Sequence, residues 1–211
     1  MSSKASLSQS ARFVRRHAAV LGLVVVVTGA LAVSLYSKPS DESKPPQAKK
    51  SASLGPQLDK FVTHATRKTL PDLFVQRADG TQVKISDIEG RLVLVNFWAT
   101  WCAPCRKEMP SLSKLETELG DETFEVVTIA TMRNSPKSIQ SFFDKIDVQN
   151  LSEHNDPNGA LSRSMGVLGL PTTLIISKSG KEIGRLLGDA DWGSPDAIEL
   201  MSAIKTADHE Y

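Results

Sequence analysis

Cys102 and Cys105 are the only two cysteines in the 211-residue chain, and they stand three positions apart in Trp101-Cys102-Ala103-Pro104-Cys105. A disulfide needs Cα atoms about 4.4–6.8 Å apart, and one turn of helix brings residues i and i+3 to roughly that separation. The apolar run Arg91–Phe97 reads as a buried strand, and Arg106–Leu112 opens a helical pattern. The pair therefore sits where a strand passes into a helix N-terminus. Free N–H groups and the positive dipole end favour a thiolate on Cys102 there. Pro104 suits a first helical turn, where a missing N–H costs little. The residues have the makings of a reactive dithiol, with Cys102 the better attacker and Cys105, one turn in, the resolving thiol.

Residue types leave other readings open. The pair could be inert and buried, although two aromatics and a proline beside it argue against that. A structural zinc site needs four ligands, and His17, His64, His154 and His209 show no ligand spacing. Copper(I) on two soft thiolates is chemically reasonable, but no third ligand stands near the pair. The net charge of +1, with no basic patch interleaved with aromatics, excludes nucleic acid as a partner.

The segment Leu92–Pro110, LVLVNFWATWCAPCRKEMP, resembles the active-site segment of the thioredoxin superfamily, above all its TlpA/ResA-like branch. Pro71-Asp72-Leu73, Asp79–Val83 and Ser86-Asp87-Ile88 are similar to that branch's N-terminal hairpin. Gly166–Thr173, GVLGLPTT, is similar to the loop that carries the superfamily's cis-proline. The resemblance covers roughly residues 71–204. It implies a thioredoxin-like α/β/α sandwich with a mixed central sheet and a central insertion, and Cys102 and Cys105 as a redox-active disulfide. It also implies a substrate surface made by Trp101, Pro104, Leu170 and Pro171, where an extended chain adds on by backbone hydrogen bonds.

One departure is informative. Thioredoxins proper carry a buried aspartate where this chain has Asn96, which cannot accept a proton. Glu108, three residues after Cys105 on the same helical face, takes over as proton relay if the resemblance to the ResA-like branch holds. The ordinary alternative is a solvated glutamate in a Lys/Glu-rich helix. Trp98 reads as core, and Trp192, in the turn Gly188–Gly193, has no legible role.

Residues 18–36 form an uncharged run about 28 Å long as a helix, close to the hydrocarbon thickness of a bilayer. Lys4, Arg12, Arg15 and Arg16 precede it, which places residues 1–17 in the cytoplasm. The run reads as a single-pass signal anchor, with cleavage after Ala30-Leu31-Ala32 the competing expectation. Residues 37–56 are a Pro-, Ser- and Lys-rich tether, and residues 57–211 the thioredoxin-like domain, expected in the bacterial periplasm on the inner membrane.

Within that domain Leu58, Phe61, Val62 and Ala65 recur at helical spacing, so a short amphipathic helix is expected before Leu70-Pro71. Strands follow near residues 73–75, 82–85, 92–97, 124–130, 149–152, 172–177 and 182–187. Helices are expected near 103–119, ended by Gly120-Asp121, and near 135–146, 158–165 and 194–204.

The resemblance implies a reductase that keeps cysteine pairs reduced during respiratory cytochrome assembly. Its partners would be copper-centre assembly factors, an oxidase subunit or apocytochrome c, with a membrane thiol–disulfide carrier as electron donor. No nucleotide or flavin motif is visible, and neither cofactor nor metal is expected. A copper(I) chaperone and a disulfide oxidase or isomerase are the rival functions.

Overall fold

The computed structural model describes residues 58–88 and 90–208, so the expected cytoplasmic tail, anchor and tether lie outside the described residues. No helix among the described residues is long and apolar enough to cross a membrane. Among the described residues there are eight strands: β1 (Val62–Thr69), β2 (Phe74–Arg77), β3 (Gln82–Lys84), β4 (Leu92–Trp98), β5 (Phe124–Thr131), β6 (Ser152–Asp156), β7 (Thr172–Ile176) and β8 (Lys181–Leu187). The helices are α1 (Ala103–Leu119), α2 (Pro136–Ile146), α3 (Ala160–Ser164) and α4 (Pro195–Asp208).

The strands make one mixed sheet in the order β1-β8-β7-β4-β5-β6-β2-β3. β4, β5 and β6 run parallel, while β7 and β8 return antiparallel on the other side of β4. All seven residues of β4 are buried, the mark of a strand covered on both faces. Leu92, Leu94 and Trp98 meet Met109, Leu112 and Leu115 of α1 and Met201 of α4. Val93, Val95 and Phe97 point the other way, onto Leu161, Met165 and Leu174. Alternation along the strand thus splits the apolar run between two cores. Asn96 falls on the α1 side of that alternation, an amide among hydrophobic neighbours.

Two expectations are corrected. Residues 62–69 are not a helix but the edge strand β1, antiparallel to β8. Val62, Thr63, Thr66 and Thr69 are β-branched and favour a pleated surface. Only Leu58 and Phe61 of the apolar set turn inward, around a 3-10 turn, whereas Val62 is exposed. The strand expected at 149–152 lies instead at 152–156. Its sequence Ser-Glu-His-Asn-Asp carries no hydrophobic alternation, because Asn155 and Asp156 are buried in hydrogen bonds rather than in apolar contacts. The stretch between β5 and α3, expected as an insertion, comprises α2 and β6. Helix α1 ends as expected at Gly120, in extended backbone. A Cβ there would come 2.4 Å from the Glu116 carbonyl oxygen, so close approach rather than a left-handed turn requires the glycine.

At the β1–β8 edge, Glu182 is buried and is bonded to His64 at 2.5 Å and to the Arg185 guanidinium at 2.6 and 2.7 Å. Burial pushes its carboxyl upward, but the bonds from Arg185 and His64 outweigh this and hold it below the usual glutamate range. Arg185 also donates to the carbonyls of Met165 and Gly166, at 3.0 and 3.3 Å, and so fastens the start of the 166–171 loop to β8. Arg185→Ala leaves the buried carboxylate with His64 alone. The variant should lose about 3 kcal/mol of stability, the scale for breaking a buried pair from one side, as read from denaturant unfolding at neutral pH. A loss under about 1 kcal/mol would assign the pair the small worth of an exposed ion pair.

Candidate active site

Cys102 and Cys105 are joined as a disulfide, with Cα atoms 5.3 Å apart. Cys102 is the N-cap of α1, and its sulfur accepts the Cys105 N–H at 3.4 Å. A strand that ends at Trp98 and a turn from Ala99 to Cys102 put the first sulfur at the helix start. The second lies one turn in and is fully buried, whereas Cys102 is 7% exposed. The two thiols are therefore unequal in access, as the sequence pattern suggested.

Glu108 is buried, not a solvated surface glutamate. The Asn96 side-chain amide donates to its Oε1 at 2.9 Å and to the Thr173 hydroxyl at 3.0 Å. The backbone N–H of Ala190 donates to its Oε2 at 3.2 Å. Burial raises the Glu108 pKa, the bonds from Asn96 and Ala190 lower it, and the charge of Asp189 raises it again. The result is about 7. The loop that supplies Ala190 is fastened to α1 by Trp192 N–H to the Ser111 hydroxyl and by Lys114 to the Gly193 carbonyl. Trp192 is fully buried within it. Its indole N–H helps to stabilise the Glu108 carboxylate electrostatically without reaching hydrogen-bond geometry. Nothing in the sequence could bring residues 189–192 to this helix from some eighty positions away. A cavity of about 390 Å³ lined by Lys107, Glu108, Ser111, Asp189 and Asp191 opens beside the carboxyl.

On the Cys102 side a separate groove of about 370 Å³ is lined by Trp101, Cys102, Pro104, Met132, Leu168 and Leu170, among others. Trp101, Pro104 and Leu170 thus come together at Cys102. The Leu170–Pro171 bond is cis, and Pro171 itself is buried. Sequence reasoning missed Met132, Leu168 and Asn134. The Asn134 side-chain oxygen, Oδ1, accepts from the Thr100 N–H at 2.9 Å and the Thr100 hydroxyl at 2.8 Å. Its amide donates to the carbonyls of Thr131 and Met132, at 2.9 and 2.6 Å. One side chain thereby ties the turn before Cys102 to the end of β5. The one available signal was Leu168, a large aliphatic between glycines in Gly166-Val167-Leu168-Gly169.

The raised pKa of Glu108 has a consequence for stability. Between pH 4.5, the ordinary glutamate value, and about 7 the folded chain keeps a proton that the unfolded chain has lost. Stability therefore falls as pH rises through that window, by about 3 kcal/mol from this group. Glu108→Gln should flatten the decline and be more stable than wild type at pH 8. Denaturant melts of the oxidised proteins at pH 5 and pH 8 check this, and parallel declines would contradict it.

The sequence profile of the AhpC/TSA family matches residues 66–181. A thiol-disulfide oxidoreductase ResA of Bacillus thuringiensis is 30% identical over 122 residues, which is 58% of this chain and 69% of that protein. The thioredoxin-like protein YneN of Bacillus subtilis is 35% identical over 111 residues, 52% of this chain and 64% of its own length. Among solved structures, a DsbE-type thiol:disulfide interchange protein of Chlorobium tepidum superposes with a TM-score of 0.56 at 27% identity, covering 67% of this chain and 96% of that one. With a mixed thioredoxin-like sheet, a cysteine pair at the head of its first long helix and relatives that carry out thiol–disulfide exchange, the chain belongs to the AhpC/TSA family, on its TlpA/ResA-like side, as a thiol-disulfide oxidoreductase.

Proposed function

We propose that the protein is a membrane-tethered, exported reductase that keeps the cysteine pairs of envelope proteins reduced, and that its clients belong to respiratory cytochrome assembly. The observation that carries the exchange reading is Glu108, a buried acid with a pKa of about 7 one helical turn beyond the enclosed Cys105. Such a group changes protonation at working pH, as a general acid–base must.

The exchange runs as follows. The Cys102 thiolate attacks one sulfur of a substrate disulfide, that S–S bond breaks, and the other substrate sulfur leaves as a thiolate. Cys105 passes its proton to the Glu108 carboxylate and attacks the Cys102 sulfur. The mixed disulfide breaks, the second substrate sulfur is released, and the Cys102–Cys105 disulfide is restored. The substrate gains the two electrons that the dithiol loses. When a membrane dithiol carrier reduces the pair again, Glu108 returns the proton to Cys105. Ala103-Pro104 supports the reducing direction, because it brings no charge or strong donor to stabilise a thiolate at Cys102. The uncharged run at residues 18–36 and the Pro-, Ser- and Lys-rich sequence at 37–56 support export, and the TlpA/ResA-like relationship supports oxidase copper-site proteins or apocytochrome c as clients.

Cys102→Ser should abolish exchange, while Cys105→Ser should react once and accumulate as a mixed disulfide with its clients. Purifying the latter from the envelope and identifying what is bonded to Cys102 tests the client assignment. Faster alkylation of Cys105 than of Cys102 in the reduced protein would reverse the two roles.

The dithiol potential should lie nearer thioredoxin's roughly −270 mV than DsbA's roughly −120 mV. A glutathione titration giving a value above about −180 mV would favour a disulfide isomerase or oxidase.

A further inference from the structure

Thiol–disulfide exchange by itself asks nothing of Met132 and Arg133, yet both residues are held in left-handed backbone, at φ 53° and 45°. Residues other than Gly, Asn and Asp seldom adopt that conformation, and outliers of this kind gather at functional sites. Asn134 holds the pair there through its bonds to the Thr131 and Met132 carbonyls and to Thr100. Met132 consequently lines the groove beside Cys102, and the Arg133 guanidinium lies 5.1 Å from the centre of the Trp101 ring. Leu168, in the same lining, is 94% exposed.

Guanidinium groups gather around this groove. None of its lining residues is charged. Asp156, which is tied to Thr131 and Ser162 of the lining, is itself buried and bonded. Three guanidinium groups stand around it: Arg133 on Trp101, Arg106 bonded to the Thr100 carbonyl at 2.8 Å, and Arg163, which shares the face of Gly159 with Met132.

We propose that Met132, Arg133 and Leu168 form a specificity element that selects substrate cysteines with an apolar residue beside them and a carboxylate next to it. The apolar side chain is covered by Met132 and Leu168 while Cys102 forms the mixed disulfide, and the carboxylate faces Arg133. The occupant is an extended acidic–apolar segment of a partner protein, chosen by charge complementarity and by the covalent bond it makes at Cys102. The inference rests on Cys102 as the attacking sulfur and adds the sequence class of the client.

The test uses full-length Cys105→Ser protein and four short peptides whose single cysteine is capped with β-mercaptoethanol. The two residues beside the cysteine are Leu-Glu, Leu-Lys, Gly-Glu or Gly-Lys. Rates of protein–peptide adduct formation are read by mass spectrometry and normalised to each peptide's rate with dithiothreitol. Leu-Glu should lead Leu-Lys by about fivefold at low ionic strength, as rim charges act on encounter, and the lead should shrink with added salt. Arg133→Gln should remove the charge preference, Arg133→Glu should invert it, and Leu168→Ser should narrow the lead of Leu over Gly. A wild-type charge preference under about twofold, or one left unchanged in Arg133→Glu, overturns the specificity element and leaves the reductase reading standing. Failure of every peptide to form an adduct overturns the assignment of Cys102, and this inference with it.

Discussion

A buried carboxyl group one helical turn beyond the disulfide is the constraint around which the rest of the site is arranged. Glu108 is reached by an amide from β4 and a backbone N–H from the loop before α4, so the sheet, α1 and that loop converge on one acid. The identity of residue 96 follows from it. A second carboxyl at that position would face the first across 2.9 Å, and one of two such acids must stay protonated. An amide instead donates a hydrogen bond without adding charge. Asn96 and Glu108 are thus one device: the helix carries the acid, and the strand position supplies its donor.

The surroundings of the disulfide are divided. The groove beside Cys102 and the cavity beside Glu108 share no lining residue. Filling the groove beside Cys102 would therefore leave the cavity beside the carboxyl open. The wall between them is the first turn and a half of α1, with Cys105 buried inside it.

The strand-to-helix passage at Trp98–Ala103, the span of α1 and the β7–β8 hairpin were all legible from residue pattern, because each is set by local periodicity and turn residues. The edge strand β1 was not. Its apolar residues coincide with a helical spacing that masks the β-branched pattern of Val62, Thr63, Thr66 and Thr69, and its partner strand β8 lies more than a hundred positions away. The polar strand β6 was hidden for another reason: its buried side chains, Asn155 and Asp156, are polar, so it shows no apolar alternation. Glu108 could be picked out by its distance from Cys105, but its burial depends on Ala190 and on the loop around Trp192, which no local pattern reveals. Asn134 left no trace at all, since an asparagine after two ordinary residues gives no hint that it grips two loops at once.

The Asn134 brace has a consequence for how such a protein can change over time. Thr100 and Met132 are gripped through their backbones, apart from one hydroxyl, so the frame that presents Trp101, Met132 and Arg133 is largely independent of which side chains those positions carry. Leu168 stands on a loop whose start is likewise fastened through carbonyls, by Arg185. Exchanging the three side chains of Met132, Arg133 and Leu168 would therefore reshape the face beside Cys102 while leaving the sulfur pair and the Glu108 carboxyl where they are.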